Sequence, residues 1–344
     1  MTAALIAALL ALGAPVQDKK VWTDSADPTL PADFKLQGEY AGEKIGAQVI
    51  ALGDGQLHAV IYPGGLPGAG WDGKSKILLV GKQDGGKAAL TPAEGARKYL
   101  AQKPDEFSAT RKFPPEGQKP WSGSLDGAAL VLKTDDGKEL KLAKAARTSP
   151  TMGAAPPAGA IVLFDGKGSD EWKGGRLDAK TGLLNTDGND IVSKRKFSNY
   201  TAHVEFMLPY RPDGRGQGRG NSGFYQVDHF ELQILDSFGL DGVNNECGGF
   251  YTKAAPKVNM CAPPLVWQTY DVEFTNAVQG PDGKKTKNAV ASVRHNGVVI
   301  HEGQELSGPT GGHRSDPEGT PGPIKLQGHG NPLQFRNVWI VEKP

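Results

Sequence analysis

The sequence predicts an all-β protein: a smaller antiparallel β unit followed by a two-sheet sandwich of jelly-roll type. Three observations carry this. With 47 Gly and 25 Pro among 344 residues, chain breakers are too frequent for long helices to dominate. Apolar and polar residues alternate with period two in many short segments, as in antiparallel sheet with one face on a core. Turn dipeptides such as Asp136-Gly137 and Asn296-Gly297 separate such segments. Hydrophobic residues at 38% suffice for packed cores, and the length suits about two domains. The 39 Lys and Arg against 38 Asp and Glu leave a formal net charge of +1, so the basic field that nucleic-acid binding uses is missing.

Residues 1–17 read as a signal peptide. The apolar run AALIAALLALGA is shorter than the roughly 20 residues that span a bilayer as a helix. Ala11 and Gly13 supply the small residues that precede a cleavage site, although no Lys or Arg stands before the run. The expected location is secreted or periplasmic, with no membrane span elsewhere. Residues 18–143 form a β-rich accessory unit, with strands at AQVIAL and LHAVIYP and a hairpin at ALVLKTDDGKELKL. One helix is expected at TPAEGARKYLAQ, where Thr91 and Glu94 have capping-box spacing around Pro92. Residues 144–157, KAARTSPTMGAAPP, have the composition of a linker.

Residues 158–344 carry the clearest alternation. In TAHVEFML, Val204, Phe206 and Leu208 share one face and His203, Glu205 and Met207 the other; in HFELQIL, Phe230, Leu232 and Ile234 oppose His229, Glu231 and Gln233. VRHNGVVIH, YDVEF and PLQFRNVWIV supply further strands. Cys247 and Cys261 are the two cysteines, and in an exported chain they are expected to form a disulfide worth about 3 kcal/mol.

Chemistry concentrates in residues 214–237. GRGQGRGNSG lacks the Lys-Ser/Thr of a phosphate loop, no G-x-S-x-G elbow occurs, and no histidine pair has zinc spacing, so no metal site is assigned. An oxygen-ligated divalent cation on Glu231, Asp271 or Asp236 stays open. A carboxylate and an amide side by side, Glu231 and Gln233, suit sugar hydroxyls, and burial would raise the carboxyl pKa toward that of a base. Trp267, Asp271, Gln327, His329 and Arg336 are candidates to join them, whereas His203 with Glu205 reads as structural.

Eight ordered motifs, among them IVLFDGKGSDEW, GQGRGNSGFY, FELQILDSFG, CGGFY, WQTYDVEF and GPIKLQGHGNPLQFRNVWI, resemble the 3-keto-disaccharide hydrolase domain family over about residues 158–344. The resemblance implies a concanavalin A-like jelly roll, a secreted or periplasmic setting, and cleavage of glycosides already oxidised at C3. It departs at Gly328, where the family commonly has Asp. A C3 ketone acidifies the C2 proton, so one base, one acid and a stabiliser of the enolate oxygen suffice for elimination followed by hydration. On this reading Glu231 is the base and His329 the acid or enolate stabiliser. Arg219, Asn221, Tyr225, Gln233 and Gln327 hold hydroxyls, with Asp271 and Arg336 nearby and Trp267 stacking on a sugar ring. The alternative is a non-catalytic carbohydrate-binding module, since a sandwich with polar and aromatic groups on one face also describes lectin-like domains. A structural surface protein is the third reading.

Overall fold

The computed structural model describes residues 21–344, so the expected signal peptide, residues 1–17, lies outside the described residues. Eight antiparallel strands, from Gly38–Gly42 to Glu139–Ala145, close into a barrel, the last pairing with the first. Closure leaves no free sheet edge. Tyr40, Val49, Ala59, Ile61, Leu79, Leu90, Leu130 and Leu142 fill the barrel. The neighbouring positions Ile50, Leu52, Val60, Tyr62 and Leu78 point outward and join the sandwich core. The strands Ile45–Ala51 and Gln56–Pro63 are therefore buried on both faces.

The second unit is the expected two-sheet sandwich. Its larger sheet runs Arg176–Asp178, Leu183–Asn185, Gln334–Glu342, Tyr200–Met207, Trp267–Thr275, Ala289–His295 and Val298–Leu306, with Ile161–Phe164 also paired to Gln334–Glu342. The smaller sheet runs Trp172–Lys173, Ile191–Ser193, Lys325–Leu326, Ser222–Gln226 and Phe230–Ile234. Phe206, Tyr270 and Phe335 from the first meet Phe224, Phe230, Leu232 and Leu326 from the second. Asn296 and Gly297 have φ of 50° and 81°, the paired positive values of the hairpin turn read from their sequence.

Two sequence expectations are corrected, the helix at 91–102 and the disulfide. The helix at 91–102 does not form: Thr91 pairs with Val80 in the barrel, and Gly95 and Leu100 take positive φ. Lys98–Tyr99 instead pairs in parallel with Phe107–Ser108. A local capping signal has lost to a ladder of long-range backbone bonds. The stretch 144–157, read as a linker, is docked along its length. Its first two residues finish the barrel, and it then straps the outer face of the larger sheet. There Thr151 donates to Asp271 (2.7 Å), the Gly153 N–H to Glu205 (2.6 Å), and Asn337 to the Ala154 carbonyl (3.0 Å). The strap explains why Tyr200–Met207 is buried on both faces rather than half-exposed. Cys247 and Cys261, expected to form a disulfide, are free buried thiols that lie close enough to interact with each other. Cys247 Sγ lies 3.1 Å from the Tyr270 hydroxyl and Cys261 Sγ 3.4 Å from the Leu235 carbonyl, and Asn259, bonded to the Ser237 and Leu240 carbonyls, closes the loop without a covalent link.

Candidate active site

The outward face of the smaller sheet carries the site. Register places Tyr225 opposite both Glu231 and Lys325, and Gly223 opposite Gln233, so period-two geometry lines these side chains up on one surface. Residues 248–251 pair along the outer edge of the Glu231 strand: Gly248 N–H donates to the Gln233 carbonyl and Tyr251 N–H to that of Glu231, both at 3.0 Å. Residues 310–312 cover the row from above, since Thr310 Oγ1 accepts the Glu231 N–H (2.9 Å), Gly311 O lies 2.7 Å from the Tyr225 hydroxyl, and Gly312 O accepts from Lys325 (2.6 Å).

At the centre, Glu231 is 3% exposed and its Oε2 lies 2.9 Å from the Tyr225 hydroxyl. Burial pushes its carboxyl up to about 7, against the lowering effects of the Tyr225 hydrogen bond and the Lys325 charge. Burial, then the Glu231 charge, drives Tyr225 far above its ordinary value, so its hydroxyl stays protonated. Gln327 Nε2 donates to that oxygen (3.1 Å). The tyrosine has one proton for two acceptors. It donates to Glu231 when the carboxylate is charged, and turns to Gly311 O when Glu231 is protonated and can donate in return. Lys325 stands 3.9 Å over the Tyr225 ring and is paired with Asp228 (2.6 Å).

Gly223 makes room for this carboxyl. A Cβ there would sit 2.5 Å from Glu231 Oε1 and 2.8 Å from its Cγ. Gly223→Ala is expected to lower turnover about a hundredfold by displacing the carboxyl while the fold is retained. Steady-state kinetics beside circular dichroism checks this, and unchanged turnover would reject it.

Beside the carboxyl lies a wall of amides. Gln217 Oε1 accepts from Asn221 Nδ2 (3.0 Å) and Gln233 Nε2 (3.3 Å). Asn221 Oδ1 and Gln233 Oε1 are buried acceptors with no donor among the described residues.

Of the residues singled out from sequence, Glu231, Tyr225, Gln233, Asn221 and Gln327 come together. The others do not. Arg219 is a buried structural ion, paired with Asp236 at 2.5 Å and donating to the Ala51 and Pro212 carbonyls. Trp267, Asp271 and Arg336 belong to the other sheet: Arg336 stacks on Trp267 (4.0 Å) and binds Glu205 (2.6 Å), while Asp271 binds His203 (2.6 Å) under the strap. His329 is exposed, and its side chain bonds to none of the Glu231 group. Asp236 and Asp271 are thus engaged away from Glu231, and among the described residues no group of three or more His, Cys, Asp or Glu is arranged to hold a metal ion.

Lys325, Gln217 and the 310–312 backbone were missed by sequence reasoning. Lys325 alternates with Gln327 in KLQ, so period two carried its signal; Gln217 sits on a short 3-10 turn whose direction no pattern gives.

A carboxyl poised near neutrality, a tyrosine that can turn its O–H between two acceptors, and amides with unmet acceptors suit acid–base chemistry on a hydroxyl-rich molecule. The sandwich bearing them defines a carbohydrate-acting enzyme of hydrolase-like type. Residues 159–341 match the family profile of the 3-keto-alpha-glucoside-1,2-lyase-like domain, and the chain belongs to that family. Curated proteins yield no match. Three similar solved structures come from Parabacteroides distasonis ATCC 8503, each described as a candidate glycosyl hydrolase. One, at 2.13 Å, is 32% identical over 54% of this chain and 85% of its own, with a TM-score of 0.49. Another is 21% identical over 54% and 94%, at 0.40, and a third 19% identical over 54% and 94%, at 0.35.

Proposed function

We propose that the protein is an exported enzyme that cleaves 3-keto-glycosides by removing the C2 proton, eliminating the aglycone from C1 and adding water back. The observation that carries this reading is the buried Glu231 bonded to Tyr225, a carboxyl held near pH 7 where it can take and return a proton. Glu231 removes the C2 proton as its electrons move toward the C3 carbonyl. As Glu231 takes the proton, the Tyr225 hydroxyl, its oxygen fixed by Gln327, turns from that carboxyl to the developing enolate oxygen, which replaces Gly311 O as its acceptor and takes the place given to the exposed His329. The enolate then expels the C1 oxygen, which leaves as the aglycone hydroxyl by taking the proton from Glu231, and a C1–C2 double bond conjugated to the ketone forms; water then adds its oxygen at C1 and, by way of Glu231, its proton at C2 to give the free 3-keto sugar. One base and one hydroxyl do what an ordinary glycosidase does with two carboxylates at fixed separation. Asn221 Oδ1 and Gln233 Oε1 accept from sugar hydroxyls, which relieves acceptors that cost roughly 1–3 kcal/mol each when buried without a donor.

The test offers the purified protein a 3-keto-disaccharide beside the unoxidised sugar, with and without chelator. Aglycone release from the keto form alone is expected. Binding of both sugars without turnover would leave a carbohydrate-binding module, and activity lost to chelator and restored by a divalent cation would add a metal to the mechanism.

A further inference from the structure

The barrel reaches the sugar-binding wall through hydrogen bonds on either side of one short loop, residues 242–246. Its side excursion at residues 98–108 is held by the parallel pairing of Lys98–Tyr99 with Phe107–Ser108, and there the Tyr99 hydroxyl donates to Glu246 Oε1 of the sandwich. Glu246 is 2% exposed, and its other oxygen accepts the N–H groups of Gly242 (2.7 Å) and Val243 (3.0 Å), which folds residues 242–246 into a compact loop. That loop presents the Asn245 carbonyl to Gln217 Nε2 (2.8 Å), and Gln217 in turn orients Asn221 and Gln233. Gly249 closes the circuit, donating to the Glu246 carbonyl (2.9 Å) and accepting from the Gln233 N–H (2.8 Å).

Other barrel groups hold the flanks. Lys76 pairs with Asp241 (2.6 Å), whose second oxygen accepts the Arg111 N–H (2.7 Å). Gln102 donates to the Asp213 carbonyl (3.0 Å), and the Leu52 carbonyl accepts from Arg215 (2.8 Å), at the start of the segment that carries Gln217. An unanchored loop would leave the Gln217 amide free to rotate, and with it the two amides that it aligns.

We propose that the N-terminal barrel is part of the substrate-binding apparatus, with Tyr99 and Glu246 as positioning residues that fix the Gln217–Asn221–Gln233 wall against the sugar. This rests on the sugar-cleaving reading above, which supplies the ligand for that wall. It gives the first unit a task in substrate selection, although none of its residues touches the Glu231–Tyr225 pair.

The experiment uses the full chain with Tyr99→Phe, which removes one hydroxyl. KM for the 3-keto-glycoside is expected to rise about tenfold, the scale of one lost hydrogen bond to a charged group, while kcat and its pH midpoint stay unchanged. Gln217→Ala is expected to raise KM similarly, and the double variant to be no worse than the weaker single one, because both cut the same chain. In hydrogen exchange, residues 214–221 and 240–249 should lose protection in Tyr99→Phe. Unchanged KM, additive effects, or lost protection confined to 98–108 would overturn the proposal. If Tyr99→Phe fails to fold, Glu246→Gln, which keeps an acceptor, is read by the same measures. If the wild type does not cleave the keto-sugar, the sugar-cleaving reading fails, and the exchange result still decides whether the barrel holds the wall.

Discussion

Glu231→Gln is expected to lower turnover about a thousandfold and, at the same time, to make the protein more stable in mild alkali. The first effect follows from loss of the base, since an amide cannot take a proton and general-base groups contribute about 10²–10⁴-fold. The second follows from the environment that makes the base effective. Desolvation holds the folded carboxyl at about 7, against an ordinary 4.5. Between those values the folded state binds the proton more tightly than the unfolded state, so stability declines as pH rises from 4.5 and levels off above 7. By pH 8 the charged, buried Glu231 has cost about 3 kcal/mol, a cost that the glutamine variant escapes. Denaturant titrations of both proteins at pH 5 and pH 8 check this. The two curves should separate at pH 8, and parallel behaviour would show that Glu231 carries no strained charge. In the wild type, kcat/KM should climb with pH through about 7, as the base loses its proton.

Glu205→Ala is expected to destabilise the fold by about 3–5 kcal/mol while leaving kcat of the remaining folded enzyme intact. Glu205 is fully buried and accepts from the Gly153 N–H, Arg336, Asn337 and, at 3.5 Å, His203. Burial alone would raise its pKa, but these donors outweigh it and hold the carboxyl at about 2. Its contribution is therefore fully present above 4.5 and fades as pH falls toward 2. His203 works in the opposite sense. Burial would lower its pKa, but hydrogen bonds to Asp271 and Glu205 win, so its contribution is present below 6.5 and is lost as pH rises past its raised folded value. Removing Glu205 leaves a buried imidazole short of one carboxylate and unpins the strap. Denaturation at pH 6 should show the full deficit, with a smaller one at pH 3, and proteolysis should newly open residues 144–157. A variant as stable as wild type at pH 6 would show the network to be ornamental.

Both results rest on features that the sequence showed unevenly. Strand order within hairpins, the Asn296-Gly297 turn and the shared face of Glu231 and Gln233 were legible, because period two and turn chemistry are local. Tyr225 and Gln327 were legible as residue types, and register then brought them to the same row. Alternation says which side of its own strand a residue takes, not which of two sheets that strand enters. Trp267, Asp271 and Arg336 therefore read as partners of Glu231, although they lie on the opposite outer surface. His203 with Glu205 reads as structural, since a histidine beside a carboxylate at period two is most simply a paired core group, and the pair lies buried beneath the strap. The strap at 144–157 looked like a tether because small residues and prolines suit a docked ribbon as well as a free one; only the acceptors waiting on the larger sheet decide between them.

The strands Ile45–Ala51 and Gln56–Pro63 serve as a party wall: Val49 and Ala59 furnish the room on one side, Ile50 and Val60 the room on the other. Each room thus takes part of its lining from the same two strands. The family match begins at residue 159, yet the packing begins upstream of it, because one pair of barrel strands also lines the sandwich core.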